Sequence, residues 1–290
     1  MGVSRRALIL GGTGLVVAGA GAAAITGVLS GDPPVGQPAG VPGPASTSTT
    51  TAPPVSSATA VPPSAQVTRT FFSKARRQDV TAITMAPDGL DADKLPKCVA
   101  LHGRGGDANW MVQLGVPQLL TAAVQAGMPP FAVISVDGGR DSYWTVRKDG
   151  DDPQKMLTDE LGPIQAAFGI SMGGFGALRL ARARRALKAV AVISPALFRR
   201  WPDARSKNVF LDQAHWEDNE PLRHLREIEG TPLGVWCGTE DPLLYAAKAL
   251  ADQAHPVETK ITRGAHDDAY WRRVLPEVLA FIATRLSGPR

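Results

Sequence analysis

Along residues 67–290 the hydrophobic positions fall into two patterns. Five short stretches, Lys97–Leu101, Phe131–Val136, Ala166–Phe168 running on into Gly169 and Ile170, Ala189–Ser194 and Pro232–Gly238, are apolar with almost no alternation. Unbroken apolar runs of this length, bounded by turn residues, predict strands buried on both faces. Between them the spacing turns helical. Trp110–Ala126 repeats apolar residues at helical intervals until Pro129-Pro130 stops it, and the segment after residue 171 reads as helix to about Leu187. Asp152-Pro153 supplies a capping carboxylate and a first-turn proline for a further helix, which Gly162-Pro163 ends. Tyr270–Leu286 puts Trp271, Val274, Leu275, Val278, Leu279 and Ile282 on one side of a closing helix. Arg69–Phe72 and Asp79–Met85 predict paired strands around a basic turn, and Val257–Ile261 alternates as an edge strand. Pro195–Glu229 has no clean period and is broken by Pro202 and Pro221, which predicts a small cap. Strands alternating with helices in this way predict an α/β domain around a mostly parallel sheet.

The front of the chain follows neither pattern. Ser4-Arg5-Arg6 precedes Ala7–Leu29, an uncharged stretch of 23 residues rich in Gly and Ala. A basic start, an apolar run and small-residue sites such as Ala18-Gly19-Ala20 predict an export signal or N-terminal anchor over residues 1–30, with the paired arginines suggesting the twin-arginine route. Residues 31–66 are dominated by Pro, Ala, Ser, Thr, Gly and Val, with Asp32 as their one charge and no aromatic side chain. Such a segment buries too little apolar surface to offset its chain entropy, which predicts a disordered tether. The catalytic domain is then residues 67–290, and the protein is expected outside the cytoplasm, secreted or held at the membrane by its N-terminal segment. Net charge is +4, of which +3 belongs to the residues after 66. Its basic clusters lack interleaved aromatics, so no nucleic-acid partner is expected.

Candidate chemistry centres on Gly169-Ile170-Ser171-Met172-Gly173-Gly174, between a strand and a helix. Gly-x-Ser-x-Gly in that setting is a nucleophile elbow, whose sharp turn exposes the serine hydroxyl at the top of a sheet. A serine needs a base and a site for the developing oxyanion. The N–H of Met172 and that of Arg104, in the loop His102-Gly103-Arg104-Gly105-Gly106 leaving the strand at 97–101, are the candidate oxyanion donors. Asp241 follows the strand at 232–238 and directly precedes Pro242, which favours it over Glu240 as the acid. His266 follows the strand at 257–261, whereas its nearest rival, His255, lies before that strand. The order Ser171, Asp241, His266 is the one this architecture uses. His102 is read as a loop-holding residue, and His215 and His224 as surface or structural. Tyr143 and Trp144, past the strand at 131–136, line the substrate pocket or cover the core edge. No cofactor and no metal is expected. Cys98 and Cys237 fall on strands that this architecture separates by two others, about 14 Å at the usual strand spacing, which predicts two free buried thiols.

Together the elbow, the His102–Gly106 loop and Gly264-Ala265-His266-Asp267-Asp268-Ala269-Tyr270-Trp271 resemble the esterase family that contains esterase D-like enzymes and the secreted mycolyltransferases, a branch of the α/β-hydrolases. The likeness covers about residues 68–285. It implies an α/β-hydrolase fold with helices on both faces of the sheet, Ser171 as nucleophile, His266 as base, Asp241 as orienting acid, and Met172 and Arg104 at the oxyanion. The chain departs from that pattern in its short lead-in to the elbow strand, where only Ile164 and Gln165 separate Pro163 from Ala166; a cramped strand is the expectation. The implied activity is hydrolysis of a small-molecule or lipid ester through the acyl-enzyme; with the N-terminal signal this reads as an exported esterase, for which association with the cell envelope is one option. The alternatives are acyl transfer of the mycolyltransferase type and a non-catalytic envelope-binding module on a hydrolase scaffold.

Overall fold

The computed structural model describes residues 66–288; the export and tether readings for residues 1–65 lie outside them. In chain order the elements are β1 (Gln66–Ser73), β2 (Gln78–Met85), β3 (Lys97–Leu101), α1 (Trp110–Gln113), α2 (Val116–Gln125), β4 (Ala132–Val136), α3 (Pro153–Asp159), β5 (Ala166–Ile170) and α4 (Met172–Ala183). They continue with β6 (Ala189–Ile193), α5 (Trp201–Arg205), α6 (Gln213–Asn219), β7 (Leu233–Gly238), α7 (Leu244–Ala254), β8 (Glu258–Thr262) and α8 (Asp268–Ser287). The strands form one eight-stranded sheet in the order β1-β2-β4-β3-β5-β6-β7-β8. β1 and β2 form an antiparallel hairpin that meets β4 antiparallel, and every later pairing is parallel.

The unalternating runs are apolar because both sheet faces are covered. β4, β5, β6 and β7 are buried at every position. Successive side chains point to opposite faces: Val99, Leu101, Ala167, Val190 and Val192 join the core under α3, α4 and α7, while Cys98, Ala100, Phe168, Ala191 and Ile193 join the core under α2 and α8. α8 carries Pro276 within its span, a residue that costs a helix interior about 3 kcal/mol. Leu275, Val278, Leu279 and Ile282 are fully buried on that helix, each contributing about 1.5–3 kcal/mol. Burial therefore outweighs the proline.

The site is placed by the reversal in strand order. β3 has β4 on one side and β5 on the other, so the loops leaving β3 and β5 diverge, and the crevice at such a switch point is where open α/β sheets bind ligands. The short lead-in does not cramp β5. Gln165 N–H donates to Lys97 O at 2.9 Å and Lys188 N–H to Gln165 O at 2.8 Å, so the two-residue approach is itself part of the ladder, and β5 pairs in continuous register with β3 and β6.

Other expectations need correction. Trp110–Ala126 is two helices, because Gly115 adopts φ 88° between them, a left-handed conformation that glycine takes without strain. The elbow helix ends at Ala183 rather than Leu187. Gln66 belongs to β1 rather than to the tether. The cap holds the short helices α5 and α6, whose length is too small for periodicity to reveal. The thiol expectation holds: Cys98 and Cys237 are free and buried, on strands separated by β5 and β6 and facing opposite cores.

Candidate active site

Ser171 joins β5 to α4 with φ 56° and ψ −115°, a conformation costly for a residue bearing a side chain and found mainly where function requires it. The neighbouring glycines make the turn sterically feasible. A Cβ on Gly169 would lie 2.0 Å from Gly173 O, and one on Gly173 would lie 1.9 Å from Leu101 O. Gly169 thus permits strand and helix to meet, whereas Gly173 permits α4 to pack on the end of β3.

The loops after β7 and β8 bring Asp241 and His266 to this turn. His266 Nε2 lies 3.0 Å from Ser171 Oγ, and Nδ1 lies 2.9 Å from Asp241 Oδ2. With the imidazole proton on Nδ1, the ring donates to Asp241 and accepts from the serine hydroxyl. Asp241 Oδ1 accepts from Leu243 N–H at 2.7 Å. Burial alone would raise the Asp241 pKa, but hydrogen bonds from His266, Ser194 and the Leu243 N–H outweigh it and hold the carboxyl below its ordinary value. Glu240, the rival acid, points instead toward Arg263 at 3.6 Å.

The amides of Gly105 and Gly106 are bonded to Arg140 O and Gly103 O. Those of Arg104 and Met172 have no protein acceptor among the described residues, as the first N–H of a helix has none by geometry. His102 holds the loop. Its Nε2 accepts from Gly138 N–H at 3.0 Å, which places the ring proton on Nδ1, facing Gly103 O at 2.9 Å. Burial lowers its pKa and keeps it neutral. His224 bridges Glu227 and Glu217 O within the cap. His215 caps the same region through Leu211 N–H.

A cavity of about 630 Å³ opens over Ser171 and His266, walled by Arg104, Trp110, Tyr143, Phe198, Leu243 and Trp271. Tyr143 is therefore a wall residue, and burial raises its phenol pKa so that it stays protonated. Trp144 does not line the cavity; it is fully buried against Gly138 and Gly176 and tilted 5.1 Å from His102. The consecutive left-handed residues Tyr143 and Trp144, φ 49° and 54°, send one ring against Phe175 and Phe198 at the cavity wall and the other against Gly138 and Gly176. Ser142 Oγ accepts from Trp144 N–H at 3.0 Å, and Arg179 of α4 donates to Trp144 O.

Sequence reasoning missed Ser194 and Trp271. Ser194 is fully buried with φ 50°; its hydroxyl accepts from the Trp271 indole at 3.2 Å and helps hold the Asp241 carboxyl below its ordinary value. Trp271 has the spacing of a core-facing residue and closes the Gly264–Trp271 motif, but neither pattern shows that it meets the His266 ring edge-on. The one local signal was a serine at the end of an apolar strand, level with the elbow. Among the described residues no group of three or more His, Cys, Asp or Glu is placed to hold a metal ion.

No protein-family model and no curated protein sequence matches the chain. Solved structures do. A ferulic acid esterase superposes with a TM-score of 0.67 at 21% identity, covering 78% of this chain and 99% of that one. An S-formylglutathione hydrolase from Agrobacterium tumefaciens superposes with a TM-score of 0.62 at 16% identity over 78% of this chain and 96% of its own. Mycobacterium tuberculosis MPT51 does so with a TM-score of 0.60 at 16% identity, over 76% and 99%. With the strand order and the turn at Ser171 already described, these likenesses identify the architecture of residues 66–288 as the α/β-hydrolase fold.

Proposed function

We propose that this protein is an exported serine hydrolase that cleaves carboxylic esters through an acyl-enzyme. The observation that carries the reading is the His266 ring, within hydrogen-bond reach of Ser171 Oγ on one side and Asp241 on the other. Ser171 Oγ attacks the ester carbonyl carbon while His266 Nε2 takes the hydroxyl proton. The oxygen that becomes negative is met by the N–H groups of Met172 and Arg104. The carbonyl carbon then releases the alcohol oxygen, which receives the proton from His266. Water attacks the acyl-Ser171 ester with His266 again as base, releasing the acid and restoring the serine. Asp241 stays ionised throughout, fixing the tautomer and stabilising the imidazolium. Export rests on the sequence of residues 1–30 alone.

The test is hydrolysis of p-nitrophenyl acetate, butyrate and longer esters by the full chain beside Ser171→Ala. The expected result is turnover that falls about 10⁴-fold or more in the variant, with an acyl adduct on Ser171 seen by mass spectrometry under rapid quench. Folded protein with no turnover above the variant on any ester would overturn the reading in favour of a binding module. An added alcohol separates hydrolysis from acyl transfer, since both share every step to the acyl-enzyme.

A further inference from the structure

The cavity over Ser171 is not closed on the cap side. It shares Phe198, Lys207, Pro242 and Leu243 with a second cavity of about 830 Å³, which continues past Arg199 and Tyr245. Each is by itself within the usual size of a small-molecule site, about 300–1,000 Å³, so the pair has room for a substrate extended well beyond its scissile bond. Lys207 stands at their junction.

The charges along this path are unequal in their commitments. Arg104 pairs with Asp141 at 2.7 Å and Arg200 with Asp203 at 3.0 Å. Asp107, on the wall away from the cap, accepts from Asn109 N–H. Lys207 and Arg199 have no carboxylate within 4.0 Å among the described residues. Lys207 is half-buried, its ammonium 6.0 Å from the centre of the Phe198 ring. Its turn is also held in place: Lys207 N–H donates to Ala204 O and Asn208 N–H to Arg205 O, both at 3.0 Å, and Asn208 takes φ 56°, which asparagine tolerates better than most residues. A half-buried cation without a counter-charge, at the waist of a two-chamber site, is poised to receive one from the ligand.

From this geometry we infer an anion subsite: Lys207, supported by Arg199, receives a carboxylate or phosphate carried by the ester at the end remote from the scissile bond. The inference deepens the esterase reading and rests on it for the position of the reacting carbonyl. The same charge could enter on either half of the ester, so the test carries both forms. One pair is 4-nitrophenyl hydrogen glutarate against 4-nitrophenyl valerate, with the anion on the acyl side; the other is 4-acetoxybenzoate against phenyl acetate, with the anion on the alcohol side.

The expected result is a kcat/KM ratio of anionic to neutral ester that favours the anion for one pair. That ratio falls about tenfold in Lys207→Gln, as for loss of a charge-assisted hydrogen bond, falls further in Lys207→Glu, and returns in Lys207→Arg. Arg226→Gln, remote from both chambers, is the control for net charge. Calorimetric binding of the same esters to Ser171→Ala reads the subsite without turnover. Tighter binding of the anionic member that Lys207→Gln removes supports the subsite even in a protein without hydrolysis, where the esterase reading would fail alone. Equal binding of charged and neutral members to Ser171→Ala, or a ratio that Lys207→Gln leaves unchanged, overturns it.

Discussion

The indole N–H of Trp271 donates to the Ser194 hydroxyl at 3.2 Å. This bond links the surroundings of His266 to those of Asp241, because the same indole meets His266 edge-on at 5.1 Å and 87° while Ser194 helps hold the Asp241 carboxyl below its ordinary pKa. Trp271 comes from the first turn of α8 and Ser194 from the end of β6, so two elements remote in sequence hold the pair.

Ser194→Ala removes a hydroxyl that helps hold Asp241 ionised and leaves the Trp271 N–H without its acceptor. Expected is a fall in kcat of about tenfold, the rate equivalent of about 1.4 kcal/mol, with KM little changed. Trp271→Phe keeps the edge contact and loses the bond, so its loss should be smaller. Steady-state kinetics on one p-nitrophenyl ester separates the two. Equal losses in both variants would show that the hydroxyl does not position Asp241.

Gly173→Ala tests the packing beneath the elbow. Its Cβ would stand 1.9 Å from Leu101 O, against backbone that cannot rotate away. The expected outcome is loss of soluble protein, or destabilisation by about 3 kcal/mol or more in urea, since overpacking a close-packed core costs about 1–3 kcal/mol even against side chains. Gly105→Ala, where no atom lies within 4 Å of the added methyl and only the φ of 81° opposes it, should cost less.

Arg76 is 5% exposed and grips Asp151 with two bonds, Nε to Oδ1 at 2.8 Å and Nη2 to Oδ2 at 2.9 Å, while Nη1 donates to Asp137 O at 2.6 Å. It clamps the β1–β2 turn to the loop leaving β4. Arg76→Met leaves Asp151, 15% exposed, with only the long Gln78 bond at 3.4 Å, and about 2 kcal/mol of stability is expected to go, less than for one member of a fully buried pair. The double variant Arg76→Met, Asp151→Asn should recover part of that loss in urea unfolding.

Glu220 predicts the pH dependence of the cap. Burial pushes its pKa up to about 8, against the pull of donors from Phe198 N–H, Leu222 N–H and the Trp216 indole. A carboxyl whose folded pKa lies above its unfolded value of 4.5 binds its proton more tightly when folded. Its contribution is therefore fully present below pH about 4.5 and is lost as pH rises toward 8. Glu220→Gln should remove this falling component, so that the urea midpoint of the parent drops relative to that of the variant as pH rises across the window. A variant with the parent's slope would show that Glu220 is already ionised at the low end.

The legible parts of this protein were those that depend on neighbours in sequence. Each apolar run is a strand because a chain of five buried side chains has to be covered on both faces, and the turn at Ser171 follows from glycines two residues to either side. Asp241 and His266 could be named because each lies just past a strand. The lead-in to β5 reads as cramped only until the sheet is assembled, since Gln165 turns out to be bonded to β3 on one side and to the chain before β6 on the other.

What tertiary structure alone decided is everything that depends on which face a side chain meets. Tyr143 and Trp144 are adjacent aromatics buried in one core, and only two left-handed turns bring the first to the cavity wall while keeping the second off it. Ser194 is one hydroxyl at the end of a strand until β6 lies beside β5 and β7, where it reaches Asp241 and Trp271. Lys207 lies in a segment without periodicity, and its place at the waist of the cavity is set by the cap folding back over the sheet. The physical reason is the same in each case: backbone conformation and burial are written locally in residue size and polarity, whereas a site is made where loops from β3, β5, β7 and β8 converge, and that convergence exists only once the strands are ordered.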